Sequence, residues 1–299
     1  MPFKQSRRAL GTLLTSPALN LLRIAVAAAG QEGEADRETL MLMRRQVAEG
    51  VLDDLDPALA WPELVRGLLT DSPSRMLWVL RDTGALRCLL PEVDALFGMP
   101  QSADEPPTVD IGEHVLRVVD EAARCRAPLA VRYAALLFNA GKSDSPPEHL
   151  PSHYRHMERA LPRIHAVSAR FGVPGEFRDL AVLAVHEVER VHRAAEMRAG
   201  SIAAMLERVD AFGQPERFQQ LMTLCTCDFR AYPGRATRRY PKATLLAIAL
   251  QACAGVDETV IQADFDDDPA GAADALIEAR AAAVATALRS ERWSEDAGG

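Results

Sequence analysis

The stretch Ser74-Arg-Met-Leu-Trp-Val-Leu-Arg-Asp-Thr-Gly-Ala-Leu-Arg-Cys-Leu-Leu-Pro-Glu-Val-Asp-Ala-Leu-Phe-Gly-Met-Pro-Gln101 decides the fold class of this chain. Its apolar residues recur every three to four positions, as on one face of an α-helix, and Asp71-Ser-Pro-Ser74 provides a helix start. The same spacing continues along nearly all of the 299 residues, and no segment is a convincing strand. The sequence therefore predicts an all-α fold.

The composition excludes several classes of protein. A hydrophobic fraction of 48% with 25% charged residues is typical of a globular protein and not of a disordered chain. No window reaches the roughly 18 uncharged apolar residues of a spanning helix, and the first residues lack the pattern of a signal peptide. The net charge of −8 disfavours a protein coated by nucleic acid but permits a local basic groove. We therefore expect a cytoplasmic protein that does not associate with membranes.

The five cysteines are odd in number and scattered along the chain. Cys225 and Cys227 lie two positions apart, so on a helix their side chains point in different directions. No second pair completes a zinc site. The pattern indicates reduced, buried thiols.

Start and stop signals give the expected helices and one internal boundary. The polar, proline-bearing stretch Ser102 to Thr108 is the best boundary in the chain. Asp110-Ile-Gly-Glu113 resembles a capping box and should start a helix. The next helix should begin at Pro128 and end at Gly141, which places residues 138 and 139 in its last turns. Further helices are expected at about 16–30, 38–49, 152–171, 175–198, 242–253 and 270–289.

Several segments carry a family resemblance. The stretch 74–101 resembles the body of bacterial multifunctional CCA-adding enzymes, which are tRNA nucleotidyltransferases with an HD domain. The match continues through four further segments: Val131-Arg-Tyr-Ala-Ala-Leu-Leu137, Phe177-Arg-Asp-Leu-Ala, Pro215-Glu-Arg-Phe and Cys227-Asp-Phe-Arg230. The resemblance covers roughly residues 8 to 290. It implies an elongated helical neck and body over 1–101, a degenerate HD-type helical domain over 102–215, and a helical tail over 216–299.

The resemblance also implies two losses. In the family, a mixed α/β head that binds two Mg²⁺ ions precedes the neck, whereas Met1 begins just before the neck, so we expect the head to be absent or separately encoded. The family neck reads Glu-Asp-x-x-Arg to recognise the base of the incoming nucleotide. This chain has Ser16, Pro17 and Asn20 there, which cannot supply the same donors and charge. We expect no templating by this neck, and a role for Arg23 in structure or in backbone contacts.

The HD-like site has lost ligands. By resemblance, Phe138-Asn139 stands where the family has His-Asp, and Val188 replaces a histidine, whereas His192 is kept. Phe and Val cannot ligate, and Asn is a neutral oxygen donor. By the same resemblance, the retained positions form a residual set of metal ligands: His114, Asn139, His153 and His156. A Mg²⁺, Ni²⁺ or Zn²⁺ ion is expected there only if the degenerate site still binds a metal.

Two explanations of the remaining histidines stay open. They could be structural, pairing with Glu113, Glu187 or backbone, with Lys142 capping a helix C-terminus. Alternatively, the site could be an HD-type metal-dependent phosphohydrolase with altered ligands, acting on 2′,3′-cyclic phosphates or as a phosphatase. We predict no catalytic residue in the chain and no cofactor.

One stretch is strongly basic, Arg230-Ala-Tyr-Pro-Gly-Arg-Ala-Thr-Arg-Arg-Tyr-Pro-Lys242, hereafter the basic segment. Cations interleaved with tyrosines suit phosphate contacts together with stacking. The predicted RNA-binding residues are Arg230, Arg235, Arg238, Arg239, Tyr240 and Lys242. A second candidate combines Lys4, Arg7 and Arg8 with Arg44-Arg45.

These observations predict a head-less, catalytically inactive tRNA-binding module related to tRNA 3′-end processing. Two alternatives remain, namely the altered HD hydrolase and an interaction subunit that completes a separately encoded nucleotidyltransferase head. The sequence leaves the enzymatic status and the oligomeric state open.

Overall fold

The computed structural model describes residues 16–30, 35–104, 106–265 and 268–295. Within these ranges there are fifteen α-helices and two strands of three residues each, which confirms the all-α prediction. No helix in the described ranges is both long and apolar enough to cross a membrane.

The helices follow the predicted order closely. Up to residue 137 they are α1 Pro17–Gly30, α2 Arg37–Ala48, α3 Pro57–Leu68, α4 Pro73–Asp82, α5 Ala85–Leu89, α6 Pro91–Asp94, α7 Ile111–Arg124 and α8 Leu129–Leu137. The remainder are α9 His156–Phe171, α10 Gly175–His192, α11 Ala199–Arg208, α12 Pro215–Ala231, α13 Pro241–Ala254, α14 Glu258–Ala263 and α15 Pro269–Glu295. Short 3-10 helices lie at Ala140–Lys142, Pro147–His149 and Ala194–Glu196.

Aspartate side chains cap several of these helices. Asp36, Asp56 and Asp257 each accept a hydrogen bond from a backbone N–H in the first turn of the following helix. Asp110 does the same for α7, accepting from the N–H of Glu113 at 2.9 Å, so the predicted helix start is confirmed. These bonds satisfy donors that a helix leaves unpaired at its N-terminus.

The expectation of no strand was wrong in one place. β1 (Pro100–Ser102) pairs antiparallel with β2 (Thr108–Asp110), with Gln101 opposite Val109. The polar stretch after residue 102 is thus the connection of a hairpin. Strands of three residues are too short to show a two-residue periodicity, which is why the pattern was missed.

The chain divides into two compact units by its internal contacts. The first comprises the described residues within 1–185 and 227–237, and the second comprises those within 186–226 and 238–299. Their limits differ from the boundaries expected after residues 101 and 215. The division into neck and body, HD-like domain and tail therefore stays a prediction.

Aromatic rings and one buried arginine tie the first unit together. The Trp61 ring meets the Tyr133 ring edge-on at 5.7 Å between centroids. The Tyr133 hydroxyl is hydrogen-bonded to Ser168 Oγ at 2.7 Å. Arg132 is buried on α8 and donates to the carbonyl oxygens of Leu68 and Thr70 at 2.6 and 3.0 Å. Since Arg132 and Tyr133 bond α8 to neighbouring segments, the segment that follows α8 has a defined position.

In the second unit, α15 packs against α11 and α13. Arg280 of α15 is buried, and its guanidinium donates to Glu207 Oε1 at 2.6 Å and to Glu258 Oε1 at 3.2 Å. The same guanidinium lies 4.4 Å from the centroid of the Phe212 ring. Because the charge is paired and its plane is stacked, it can be buried at low cost.

Candidate functional site

The segment 138–142, which by resemblance stands where the family has its HD signature, lies deep in the first unit. α8 ends at Leu137, earlier than the predicted Gly141, and Phe138 is its C-cap before the 3-10 helix Ala140–Lys142. This 3-10 helix packs against α9 so closely that a Cβ added at Gly141 would lie 2.0 Å from the carbonyl oxygen of His156. Gly141 is therefore required by a close backbone approach.

His114 of α7 has a carboxylate partner that sequence reasoning missed. Its Nε2 lies 2.7 Å from Oδ1 of Asp228 on α12, and the His114 side chain is fully buried. Its ring also lies against that of Tyr232, with 4.3 Å between centroids. The expected pairing of the remaining histidines with Glu113 is wrong for His114, because the partner is Asp228, 114 positions further along the chain.

His153 uses both ring nitrogens inside the protein. Nε2 donates to the carbonyl of Pro100 at 2.8 Å, and Nδ1 is hydrogen-bonded to Ser145 Oγ at 2.8 Å. His156, three residues later, donates from Nδ1 to the carbonyl of His153 at 3.1 Å. A ring nitrogen that carries a donated proton cannot offer its lone pair to a metal ion.

Lys142 also has a role other than the expected helix cap. Its side chain is buried, and Nζ donates to Oε1 of Gln101 at 2.7 Å. Gln101 in turn donates from Nε2 to the hydroxyl of Tyr232. Burial raises the pKa of Tyr232 well above its usual value, with Asp228 adding to the effect. Gln101 of the β-hairpin thus connects Lys142 to Tyr232, whose ring lies against that of His114.

Two buried polar groups in this region have no hydrogen-bond partner within the described residues. They are the side-chain amide of Asn139, which is 1% exposed, and Nδ1 of His114. Ordered water commonly satisfies such groups in protein interiors. A divalent metal would require additional imidazole or carboxylate ligands.

The retained residues do not fit a metal ion. No group of three or more His, Cys, Asp or Glu side chains within the described ranges is placed to hold one. His153 donates from Nε2, His114 faces a carboxylate through its own Nε2, and Asn139 brings no charge. The residual metal set therefore stays a prediction that this geometry does not support.

The remaining HD-like positions lie in the second unit. Val188 is buried. His192 Nδ1 is hydrogen-bonded to the hydroxyl of Tyr240 at 2.7 Å, with the two rings edge-on. Glu187 is buried and accepts from Arg190 at 2.9 Å and from Arg208 at 3.0 Å. The expected histidine partner Glu187 is thus engaged by two arginines.

The residues that by resemblance belong to the neck take part in local structure. Ser16 Oγ accepts from the N–H of Leu19 at 3.4 Å at the start of α1. Arg23 donates from Nε to Oε1 of the buried Glu63 at 2.8 Å and from Nη1 to Oδ1 of Asn20 at 3.4 Å. Arg23 is therefore engaged by protein groups, and its role in structure or in backbone contacts stays a prediction.

The first part of the basic segment belongs to the first unit. Arg235 is ion-paired with Asp104, and its guanidinium lies 4.8 Å from the centroid of Phe229 and 5.2 Å from that of Tyr232. Arg230 is half-buried and points Nη1 towards Cys125 Sγ at 3.9 Å. Arg230 and Arg235, two of the predicted RNA-binding residues, are therefore already in contact with protein groups.

The second part belongs to the second unit and is more open. Arg238 and Arg239 are exposed, and Lys242 in the first turn of α13 is half-buried. Tyr240 is 4% exposed and bonded to His192, so its ring is not presented for base stacking. The cations of the basic segment that reach the surface here are thus Arg238, Arg239 and, in part, Lys242.

The second basic candidate is only partly within the described ranges. Lys4, Arg7 and Arg8 lie outside them. Arg44 donates to the carboxylate and the carbonyl of Asp82, and Arg45 is exposed. Whether these cations form one patch therefore stays a prediction.

Two cysteines correct the expectation that the thiols are buried. Cys88 and Cys125 are exposed, whereas Cys225, Cys227 and Cys253 are buried. The pKa of Cys125 is lowered to about 6, chiefly by a hydrogen bond from Cys227 and further by the charges of Arg124 and Arg230, against its partial burial.

Known proteins resemble this chain over most of its length, although no family model matches it. A multifunctional CCA protein of Cupriavidus necator is 42% identical over 271 residues, 90% of this chain and 66% of that protein. One from Nitrosospira multiformis is 43% identical over 85% of this chain and 62% of that protein. One from Aromatoleum aromaticum is 46% identical over 89% of this chain and 65% of that protein. The chain thus spans under two thirds of the length of these relatives. With an identity of 42–46% over about 90% of its residues, it belongs to the family of the multifunctional CCA proteins.

Proposed function

We propose that this chain binds tRNA through the exposed half of the basic segment and does not hydrolyse phosphate esters at its HD-like site. The observation that carries the proposal is a difference between two places in the chain. His153 and His114, two of the positions that would hold a metal, are engaged in internal hydrogen bonds through Nε2, whereas Arg238 and Arg239 are exposed.

The case for RNA rests on chemistry and on the family resemblance. Arg238, Arg239 and Lys242 place three cations within five residues, and arginine forms two-pronged hydrogen bonds with phosphate. The resemblance to CCA-adding enzymes implies tRNA as the partner, recognised by its shape and backbone. Since the whole chain carries a net charge of −8, attraction must be local to this segment.

The case against hydrolysis rests on the lost charge and lone pairs. An HD-type reaction needs a divalent metal that activates water. The position of the adjacent His-Asp pair holds Phe138 and the neutral Asn139. His153 Nε2 is committed to the carbonyl of Pro100. A residual ligand set would have to break that bond and supply charge from elsewhere.

Titration of the full chain against a labelled tRNA transcript tests the proposal. We expect the logarithm of the affinity to fall linearly with the logarithm of the salt concentration between about 50 and about 200 mM. The double variant Arg238→Ala/Arg239→Ala should weaken binding of all tRNAs alike. It should also reduce the salt slope by roughly 2, because each lost phosphate contact contributes roughly 1 to the slope.

A double variant of equal charge loss serves as the control. Arg66 and Arg87 have side chains that are 62% and 82% exposed, and each is paired with a carboxylate. Arg66→Ala/Arg87→Ala should leave the salt slope unchanged. If both double variants lose the same affinity, or if binding is indifferent to salt, the proposed interface is wrong.

A further inference from the structure

A cavity of about 550 Å³ lies in the first unit, lined by residues of α1, α2 and α4. None of its described lining residues belongs to the HD-like positions or to the basic segment. Its walls are largely apolar, with Ala28, Leu40 and Val79 among them, and the aromatic and charged side chains that line it are Trp78, Arg75, Arg81 and Asp82. A cavity of this size, mostly apolar with a few polar groups, is typical of a site for a small molecule.

Arg81 brings a charge to this cavity that no protein group balances within the described residues. Its side chain is exposed, and a guanidinium has five N–H donors. In the described ranges, none of these donors makes a hydrogen bond, and no carboxylate forms an ion pair with Arg81. The adjacent carboxylate, that of Asp82, accepts instead from Nη2 of Arg44 at 2.5 Å. An anion that enters the cavity therefore meets a cation with open donors.

Two aromatic rings hold this guanidinium in place. Its Cζ lies 4.0 Å from the centroid of the Phe97 ring and 5.7 Å from that of the Trp78 ring. The two rings are themselves 5.6 Å apart between centroids. Stacking engages the flat face of a guanidinium and leaves the N–H groups, which lie in its plane, open to an acceptor. A cation that is held in advance loses less conformational freedom when it binds an anion.

Trp78 adds an apolar surface next to that cation. The residue is 41% exposed, which is a large exposed fraction for a tryptophan, and it lines the same cavity. Covering an indole ring removes apolar area from water and so favours a ligand with an apolar or aromatic body. The cavity thus combines an apolar wall with one oriented, uncompensated cation.

We propose that this cavity binds a small organic anion. A carboxylate or phosphate group of the ligand accepts hydrogen bonds from Arg81, and its aromatic or aliphatic body packs against Trp78 and the apolar wall. Both groups present two oxygens to the fork of a guanidinium, so they share the chemistry that this site recognises. The site uses no residue of the proposed tRNA interface, and it stands or fails independently of that interface.

Titration of the ¹⁵N-labelled full chain without RNA tests the proposal. The chain has three tryptophans, so its spectrum has few indole N–H signals, and Trp78→Phe identifies the one that reports on the cavity. The probes are benzoate, phenyl phosphate and the neutral benzyl alcohol, at constant ionic strength. We expect an anionic probe to shift the Trp78 signal to saturation and to bind at least about tenfold more tightly than the alcohol. The tighter of the two anions identifies the preferred oxyanion.

Variants at exposed positions assign the binding to Arg81. Arg81→Ala should weaken binding of the anion by about tenfold or more, to the level of the neutral alcohol. Arg81→Lys keeps the charge but lacks the planar fork, so it should restore only part of the affinity. Arg45→Ala is the matched control, because Arg45 is an exposed residue of α2 that does not line the cavity. That variant removes the same charge and should leave the affinity unchanged.

Three outcomes would overturn the proposal. The first is a Trp78 signal that neither anion shifts. The second is a neutral alcohol that binds as tightly as the anions, which needs no variant and so does not depend on any variant folding. The third is an Arg81→Ala variant that loses no more affinity than Arg45→Ala. None of these outcomes bears on tRNA binding, which the salt titration tests separately.

Discussion

The Nε2 atom of His114 lies 2.7 Å from the Oδ1 atom of Asp228, and the two side chains are 0% and 7% exposed. A position that corresponds by resemblance to a metal ligand is thus one half of a buried hydrogen-bonded pair. Inside a protein such a pair is costly to break, because the remaining partner is left without compensation. The relationship therefore has a measurable effect on stability.

Asp228→Ala should reduce the free energy of unfolding by about 3 kcal/mol, because it leaves the Nε2 donor of a buried imidazole unsatisfied. Urea unfolding followed by circular dichroism measures the loss. The control is Asp82→Ala, which removes the partner of Arg44 from a pair whose side chains are both 47% exposed. That exposed pair should contribute less than about 1 kcal/mol. Equal losses of unfolding free energy in the two variants would show that the buried contact stabilises the protein no more than the exposed pair does.

Gly141→Ala should destabilise the protein by about 3 kcal/mol or more, because the added methyl carbon would lie 2.0 Å from the carbonyl oxygen of His156. Backbone atoms cannot move aside as a flexible side chain can. Gly175→Ala is the matched control, since its new Cβ would meet only the end of the Arg178 side chain at 3.6 Å. Thermal unfolding should show a large fall in Tm for the first variant and little change for the second. Similar Tm values would contradict the close approach of the 3-10 helix to α9.

Tyr133 should make the stability depend on alkaline pH. Burial raises its pKa in the folded protein to about 12 from its ordinary value of 10.0, in spite of its bond to Ser168. Since the folded state holds the proton more tightly, this contribution is complete below pH 10 and is lost as the pH rises towards 12. The loss should approach about 3 kcal/mol. Unfolding curves between these pH values measure it.

Tyr133→Phe is the comparison for this effect. At neutral pH the variant should be less stable by about 1 kcal/mol, because it lacks the hydrogen bond to Ser168. The difference between the two proteins should narrow and then reverse as the pH passes through 10 to 12, because Phe does not titrate. A difference that is constant over this range would contradict the assignment to Tyr133.

Metal analysis decides between the proposed function and the altered HD hydrolase. After equilibration with Ni²⁺, Zn²⁺ or Mg²⁺ and dialysis, we expect far less than one metal ion per chain and no turnover of 2′,3′-cyclic nucleotides. The physical reason is that His153 and His114 are committed to Pro100 and Asp228. One bound ion per chain that disappears in His153→Ala would support the hydrolase instead.

Local signals predicted most of the helices. The stretch 74–101 contains α4, α5 and α6, and the Asp110 cap begins α7 as the sequence indicated. Helix spacing and capping involve residues within about four positions of each other, so they can be found from the order of residues alone. The hairpin at Pro100–Ser102 escaped because each of its strands has only three residues.

The candidate site was predicted less completely. The sequence identified His114, Asn139, His153 and His156 as candidate metal ligands. By resemblance, it also predicted that the ligands at positions 138 and 188 are lost. It did not indicate Asp228 as the partner of His114 or the bond between Lys142 and Gln101. It also presented Tyr240 and Arg235 as open to RNA, whereas the structure buries one and pairs the other.

By itself, the sequence determined the helical class and the family, and by resemblance it predicted that Phe138, Asn139 and Val188 replace metal-ligating residue types. These follow from residue identity and short-range periodicity. Only the tertiary structure decided what the retained side chains do, because each acts through a partner brought close by packing. Asp228 lies 114 positions from His114, Pro100 lies 53 from His153, and Gln101 lies 41 from Lys142. A hydrogen bond requires its two atoms within about 3 Å, and over such separations only the packed fold can set that distance.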